Sequence, residues 1–98
     1  MNITKTNSDS ELVLKVEGRL DTTTAPELET EIKNSIDGVS SLIFDFAALE
    51  YISSAGLRVL LTAQKIMSKQ GKMVVKNVSN AINEIFEVTG FVDILTIE

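Results

Sequence analysis

The spacing of apolar residues in this chain switches repeatedly between two and three-to-four, and that switching leaves little choice of fold. In ELVLKVEGRL, residues 11–20, Leu12, Leu14 and Val16 alternate with Lys15 and Glu17, as in a half-buried strand. NITKT before it reads as a first strand, joined through a turn at NSDS. In DTTTAPELETEIKNSIDG the period lengthens. Ala25, Leu28, Ile32 and Ile36 fall on one helical face, and Glu27, Glu31, Lys33 and Asn34 face away. Thr24 and Glu27 have the spacing of a capping box, Pro26 sits in the tolerant first turn, and Gly38 is the expected stop.

SLIFDF is a nearly continuous apolar run around Asp45, suited to a central strand covered on both faces. AALEY reads as a brief connector, and residues 54–69 as a second helix with Leu57, Leu60, Leu61, Ile66 and Met67 inward. Gly71 closes it, and KMVVKNV follows as a strand. SNAINEIFEVTG predicts a third helix, capped by Ser79 or Asn80 and ended by Gly90, and FVDILTIE a last strand. The order strand, strand, helix, strand, helix, strand, helix, strand predicts an α/β fold, a mixed or mostly parallel sheet with helices packed against it. Residues 1–98 are expected to form one domain.

Composition narrows the function. There is no cysteine and no histidine, which removes the thiol nucleophile, the commonest general base and the commonest metal ligand. A net charge of −5 argues against a nucleic-acid partner, which would need a basic footprint. No apolar run approaches the roughly 18 residues needed to cross a bilayer, and MNITKTNSDS lacks the features of a signal peptide, so a cytoplasmic protein without membrane insertion is expected. Most carboxylates lie on helix faces. Asp21, Asp45 and Glu50 sit at element ends or inside a strand, where acid/base chemistry or magnesium binding could run. GRLDTTTAP has too few glycines for a phosphate loop. Neither an enzyme nor a cofactor is expected.

YISSAGLRVLL, residues 51–61, carries the sharper question. Ser54 would serve as the N-cap of the second helix, its hydroxyl accepting a backbone N–H. Gly56 is less easily explained, because glycine in a first turn costs about 1 kcal/mol against alanine. Its presence predicts a tight turn or a group pressed close to the backbone. Arg58, Thr62, Lys65 and Lys69 form a polar stripe leading away from the serines, either a solvated face or a partner surface. On pattern alone, capping is the commoner explanation of Ser54, and function stays open beside it.

LEYISSAGLRVLL, preceded by LIFDF and by GRLDTTTAPELE and followed by Phe86, Gly90 and Phe91 in F-x-x-x-G-F spacing, resembles the STAS domain of bacterial anti-sigma factor antagonists over essentially the whole chain. The resemblance implies a small mixed-sheet fold and a regulatory protein; a monomer is the default expectation. It implies phosphorylation of a serine at the start of the second helix by an anti-sigma factor with serine-kinase activity. The unmodified form would bind that partner and free the sigma factor, and a metal-dependent serine/threonine phosphatase would reset it. The family pattern of aspartate, serine, serine or threonine, glycine and leucine, anchored on Gly56 and Leu57, places the modified serine at Ser54. Ser53 stands where the family has aspartate, which makes Ser53 the second choice, and Ala55 replaces a hydroxyl residue. Asp21, Thr22, Ser53, Ala55, Gly56 and Arg58 are the expected partner-binding residues. The alternative is a STAS module without a phosphorylation cycle, a cytosolic subunit of a membrane lipid-transport assembly. Modules of that kind tend to lose the target serine.

Overall fold

A computed structural model describes residues 1–98. The elements are β1 (Asn2–Ser8), β2 (Glu11–Leu20), α1 (Ala25–Ser35), β3 (Ser41–Asp45), β4 (Leu49–Ile52), α2 (Ser54–Met67), β5 (Lys72–Lys76), α3 (Asn80–Thr89) and a 3-10 turn at Phe91–Asp93. Four strands lie in the order β1-β2-β3-β5, with β1 antiparallel to β2 and the remaining pairs parallel. This is the mixed α/β sheet that the alternating periods predict.

The ten residues of β2 serve two partners. Glu11–Lys15 pair with β3, and Gly18–Leu20 pair with β4, the register shifting between Gly18 and Arg19. Gly18 takes φ +91°, a conformation costly for other residues, and its N–H donates to the Ala48 carbonyl at 2.9 Å. This break lets one strand leave β3 and continue beside β4.

One apolar cluster joins the inward face of β2 (Leu12, Leu14, Val16) to Leu28 and Ile32 of α1, Leu57, Leu60, Ala63 and Met67 of α2, and Ile82 and Phe86 of α3. Each of the larger side chains contributes about 1.5–3 kcal/mol on burial. In β3, Leu42 and Phe44 are buried while Ser41, Ile43 and Asp45 are only half-buried, so the strand alternates. The continuous run SLIFDF therefore does not mark a strand covered on both faces; the second face is shallowly covered.

Other expectations are corrected. AALEY is not a plain connector, since Leu49–Ile52 is a strand; its four residues are too few to show a period. The predicted last strand FVDILTIE is reduced to one bridge, Val75 with Ile97. Gly90, at φ +81°, ends α3 as expected, but the chain then turns tightly, Leu95 N–H reaching the Phe91 carbonyl at 2.8 Å. α1 stops at Ser35, before Gly38. Ser79 caps α3, accepting the Ile82 N–H at 3.2 Å. Gly71, between α2 and β5, is pressed against the 39–40 segment: a Cβ there would lie 1.9 Å from the Ser40 carbonyl oxygen.

Candidate functional site

The parallel register of Leu20 with Ile52 brings two chain exits together at the ends of β2 and β4. The Ser53 N–H continues the ladder by donating to the Leu20 carbonyl at 2.9 Å. The Asp21 turn and the serine turn are thus neighbours, at the carboxyl ends of parallel strands where α/β proteins place their sites.

Asp21 is committed to its own turn. Its Oδ1 accepts the N–H groups of Thr23 at 3.0 Å and Thr24 at 3.1 Å. The Thr24 hydroxyl accepts the Asp21 N–H at 2.9 Å and donates to the Arg19 carbonyl at 2.8 Å. The Glu27 side chain plays no part, so the expected Thr24–Glu27 box does not form: Asp21 has taken the Thr24 N–H, the Thr24 hydroxyl is turned to Arg19 and Asp21, and the Glu27 N–H donates to the Thr24 carbonyl at 3.0 Å. The Arg19 guanidinium lies 3.7 Å from the Asp21 carboxylate and 4.3 Å above the Tyr51 ring. The Thr24 N–H above all, helped by Thr23, the Thr24 hydroxyl and Arg19 and opposed by partial desolvation, holds the Asp21 carboxyl below its ordinary 3.8.

A folded-state value below the unfolded one stabilises the fold above about pH 4, and that contribution is lost as pH falls through the lower, folded-state value. Asp21→Asn keeps an acceptor oxygen and loses the charge. We expect it to melt below wild type at pH 7, with the gap closing as the pH falls below about 4 in a series of thermal melts. A constant gap would show that the charge carries none of the effect.

The helix start differs by one residue from the expectation. Ser53, not Ser54, is the N-cap of α2, held extended at φ −96°, ψ 176° by its pairing with β2, and its carbonyl accepts the Leu57 N–H at 2.9 Å. Its side chain makes no capping bond; the Ser53 Oγ is enclosed and without a hydrogen-bond partner. Ser54 is the first helical residue and is exposed. The two adjacent hydroxyls are therefore unequal, one sealed in and the other facing solvent.

Gly56 is buried. A Cβ there would lie 2.7 Å from Leu20 Cγ and 2.8 Å from Ile52 Cγ1, closer than carbon atoms tolerate. The close approach expected from the sequence is real, and it comes from the two paired strand ends. Gly56, expected among partner contacts, lies under the surface and shapes it, whereas Ser53 is half-buried with only its hydroxyl oxygen enclosed.

Two hollows flank the first turns of α2. One, of about 150 Å³, opens toward α1 and is lined by Thr22, Ala25, Pro26, Glu29, Ala55, Arg58 and Val59. The other, of about 320 Å³, opens toward the end of α3 and is lined by Ser54, Leu57, Arg58, Leu61, Thr89 and Phe91. Lys65 and Lys69 line a separate hollow at the far end of α2, Lys65 about 16 Å along the helix from Ser54 at 1.5 Å per residue. The basic stripe is not one site.

Asp45 accepts the Ala47 N–H and the Asn77 side-chain amide, each at 3.0 Å, and Asn77 first and Ala47 second hold its carboxyl below the ordinary value. This is a turn-fixing role. Glu50 is exposed on β4, and no group of three or more His, Cys, Asp or Glu side chains gathers anywhere. Sequence reasoning missed Tyr51 and gave the Thr24 hydroxyl a capping-box partner in place of Asp21 and Arg19. Tyr51 faces Arg19 only through the β2–β4 register, and no local pattern announces that pairing.

The fold and site define a small mixed-sheet α/β protein whose polar features meet at one pair of strand ends beside an exposed helix-start serine. A family model described as the STAS domain matches residues 2–98, and the chain belongs to that family. It is 34% identical over 99 residues to the BtrV protein of Bordetella bronchiseptica, covering 99% of this chain and 85% of that one. It is 32% identical over 98 residues to the anti-sigma-B factor antagonist of Staphylococcus aureus, covering 97% and 90%. Among solved structures it resembles an anti-sigma factor antagonist from Mycobacterium paratuberculosis, with 26% identity, a TM-score of 0.89 and coverage of 98% and 83%. The fold is also that of the Bacillus cell fate determinant SpoIIAA in its phosphorylated form, at 18% identity, a TM-score of 0.77 and coverage of 99% and 91%. No helix is long and apolar enough to cross a membrane.

Proposed function

We propose that this chain is an anti-sigma factor antagonist switched at Ser54. Unmodified, it binds an anti-sigma factor with serine-kinase activity and so frees a sigma factor; phosphorylated on Ser54, it lets go. A metal-dependent serine/threonine phosphatase restores the hydroxyl. This reading puts the chain in the cytoplasm, acting as a monomer. The observation that carries it is the contrast between an exposed, uncommitted Ser54 hydroxyl and the enclosed Ser53 beside it, in a family whose named relatives include anti-sigma factor antagonists.

Ser54 Oγ displaces ADP from the γ-phosphorus of ATP and gives up its proton; hydrolysis of the ester returns hydroxyl and inorganic phosphate. The phosphate adds about −1.5 to −2 charges at neutral pH. At the first position of a helix the macrodipole favours negative charge, so the fold tolerates the change. A fitted interface centred on the same spot does not. Thr22, Ala55 and Arg58, which line the flanking hollows, form the surrounding contact face, and Asp21 supports it from the neighbouring turn.

Incubation with ATP and candidate anti-sigma kinases, followed by peptide mapping, tests the assignment. We expect the phosphate on Ser54. Phosphate on Ser53 would overturn the position, and no modification by any such kinase would overturn the reading.

A further inference from the structure

Arg58 is a cation with no committed anion. The ion pairs of the molecule are Lys5–Glu31, Arg19–Asp21 and Lys33–Glu29, and Arg58 is in none of them. It follows Ser54 by four residues, the spacing at which helical side chains become neighbours, with Cβ atoms about 5–6 Å apart. Ser54 and Arg58 line the same hollow toward α3, whose far wall offers only the neutral Thr89 and Phe91. The Thr89 hydroxyl is already given to the Ile85 carbonyl at 2.6 Å. On the other side, the acidic residue in the hollow toward α1 is Glu29, which pairs with Lys33 at 3.6 Å. Arg19, the other cation at these strand ends, is held by Asp21 and Tyr51. The first turn of α2 carries no acidic residue of its own.

We propose that Arg58 is the built-in counter-ion of a phosphate on Ser54, and that the pair closes over the hollow between α2 and α3. The proposal rests on Ser54 being the modified residue. A guanidinium presents paired N–H donors that match phosphate oxygens, so the pair is directional as well as charged. Drawn toward Ser54, Arg58 leaves the α1 side and lies with the phosphate across the apolar floor of Leu57, Leu61 and Phe91. Phosphorylation then removes an apolar surface from a partner's reach in addition to adding charge.

The test is a 31P NMR titration of protein with phosphoserine inserted at position 54 during translation, so that no kinase is needed and failure of the kinase reading is seen separately. Pairing favours the dianion and lowers the pH at which the dianion takes up a proton to become the monoanion. Arg58→Gln is expected to raise that midpoint by about 0.3 pH unit, the scale of an exposed helical ion pair made to a doubly charged partner. Lys65→Gln, the same charge change far down the helix, is expected to move it by less than about a third as much because of solvent screening. Arg58→Lys should keep part of the lowering. Arg58 is exposed, so these variants fold, as circular dichroism will confirm. Equal midpoints for Arg58→Gln and Lys65→Gln would overturn the proposal, while leaving Ser54 itself in place as the switch.

Discussion

Ser54→Asp is expected to bind the anti-sigma kinase about thirtyfold or more weakly than wild type, whereas Ser54→Ala binds like wild type and can no longer be released by ATP. The size follows from placing an unmatched carboxylate in a close interface, a penalty of about 2 kcal/mol or more. Stability does not confuse the comparison, because Ser53 rather than Ser54 occupies the cap and Ser54 makes no capping bond. Alanine at the first helical position is therefore neutral to within about 0.5 kcal/mol, and aspartate there is mildly favoured by the helix dipole. Both variants should melt within a few degrees of wild type. Titration of each against the kinase, with and without ATP, gives the result directly. Equal binding by Ser54→Asp and wild type would sink the switch. Weakened binding by both variants would instead mean that the hydroxyl is an ordinary contact.

Gly71→Ala is expected to cost about 3 kcal/mol or more, through backbone collision rather than a left-handed conformation. The new methyl would lie 1.9 Å from the Ser40 carbonyl oxygen and 2.6 Å from its carbon. That carbonyl cannot easily withdraw. It accepts the Lys72 N–H at 3.0 Å, and the Ser40 N–H and hydroxyl are both fixed to Ser10 at 2.8 Å. Relieving the clash pulls apart the start of β5 and the turn between β1 and β2 together. For a domain of this size the loss corresponds to a fall in Tm of about 15 °C. Calorimetry decides the matter, and a fall of less than about 4 °C would mean that the 39–40 segment gives way freely. Partner binding below the transition should be unchanged, since Gly71 lies at the opposite end of α2 from Ser54.

The elements with a repeating period were legible in the sequence: β2, β5 and the three helices stand within a few residues of where their apolar spacing puts them. The failures have physical causes. β4 is too short for a period and exists because the end of β2 is free to pair with it. FVDILTIE is apolar enough for a strand, yet the left-handed Gly90 sends it into a tight turn that only Ile97 leaves in bridging position. The cap shifted from Ser54 to Ser53 because strand pairing, which is non-local, kept Ser53 extended. Thr24 and Glu27 had the right spacing for a box, but Asp21 took the Thr24 N–H and drew the Thr24 hydroxyl back into its own turn. For the site, resemblance singled out Ser54, and the unusual Gly56 signalled a close approach. The inequality of the two serine hydroxyls and the Arg19–Tyr51 contact depend on packing across β2 and β4, which no stretch of sequence displays.

The division of β2 between two ladders also sets a hierarchy of lifetimes. The longer ladder, with β3, runs without interruption from Glu11 to Lys15; the shorter, with β4, is interrupted between Gly18 and Arg19 before it reaches the serine turn. Opening free energies within one protein range from near zero to the global value, according to how much packing each unit carries. Because the β4 ladder is the shorter and interrupted one, amide hydrogens at Ile52 and Ser53 are expected to exchange before those of Leu14 and Phe44 in a native-state hydrogen-exchange series. A partner that acts on Ser54 would therefore work beside the shorter of the two ladders, with Leu20 and Ile52 anchoring that ladder in the core beneath it.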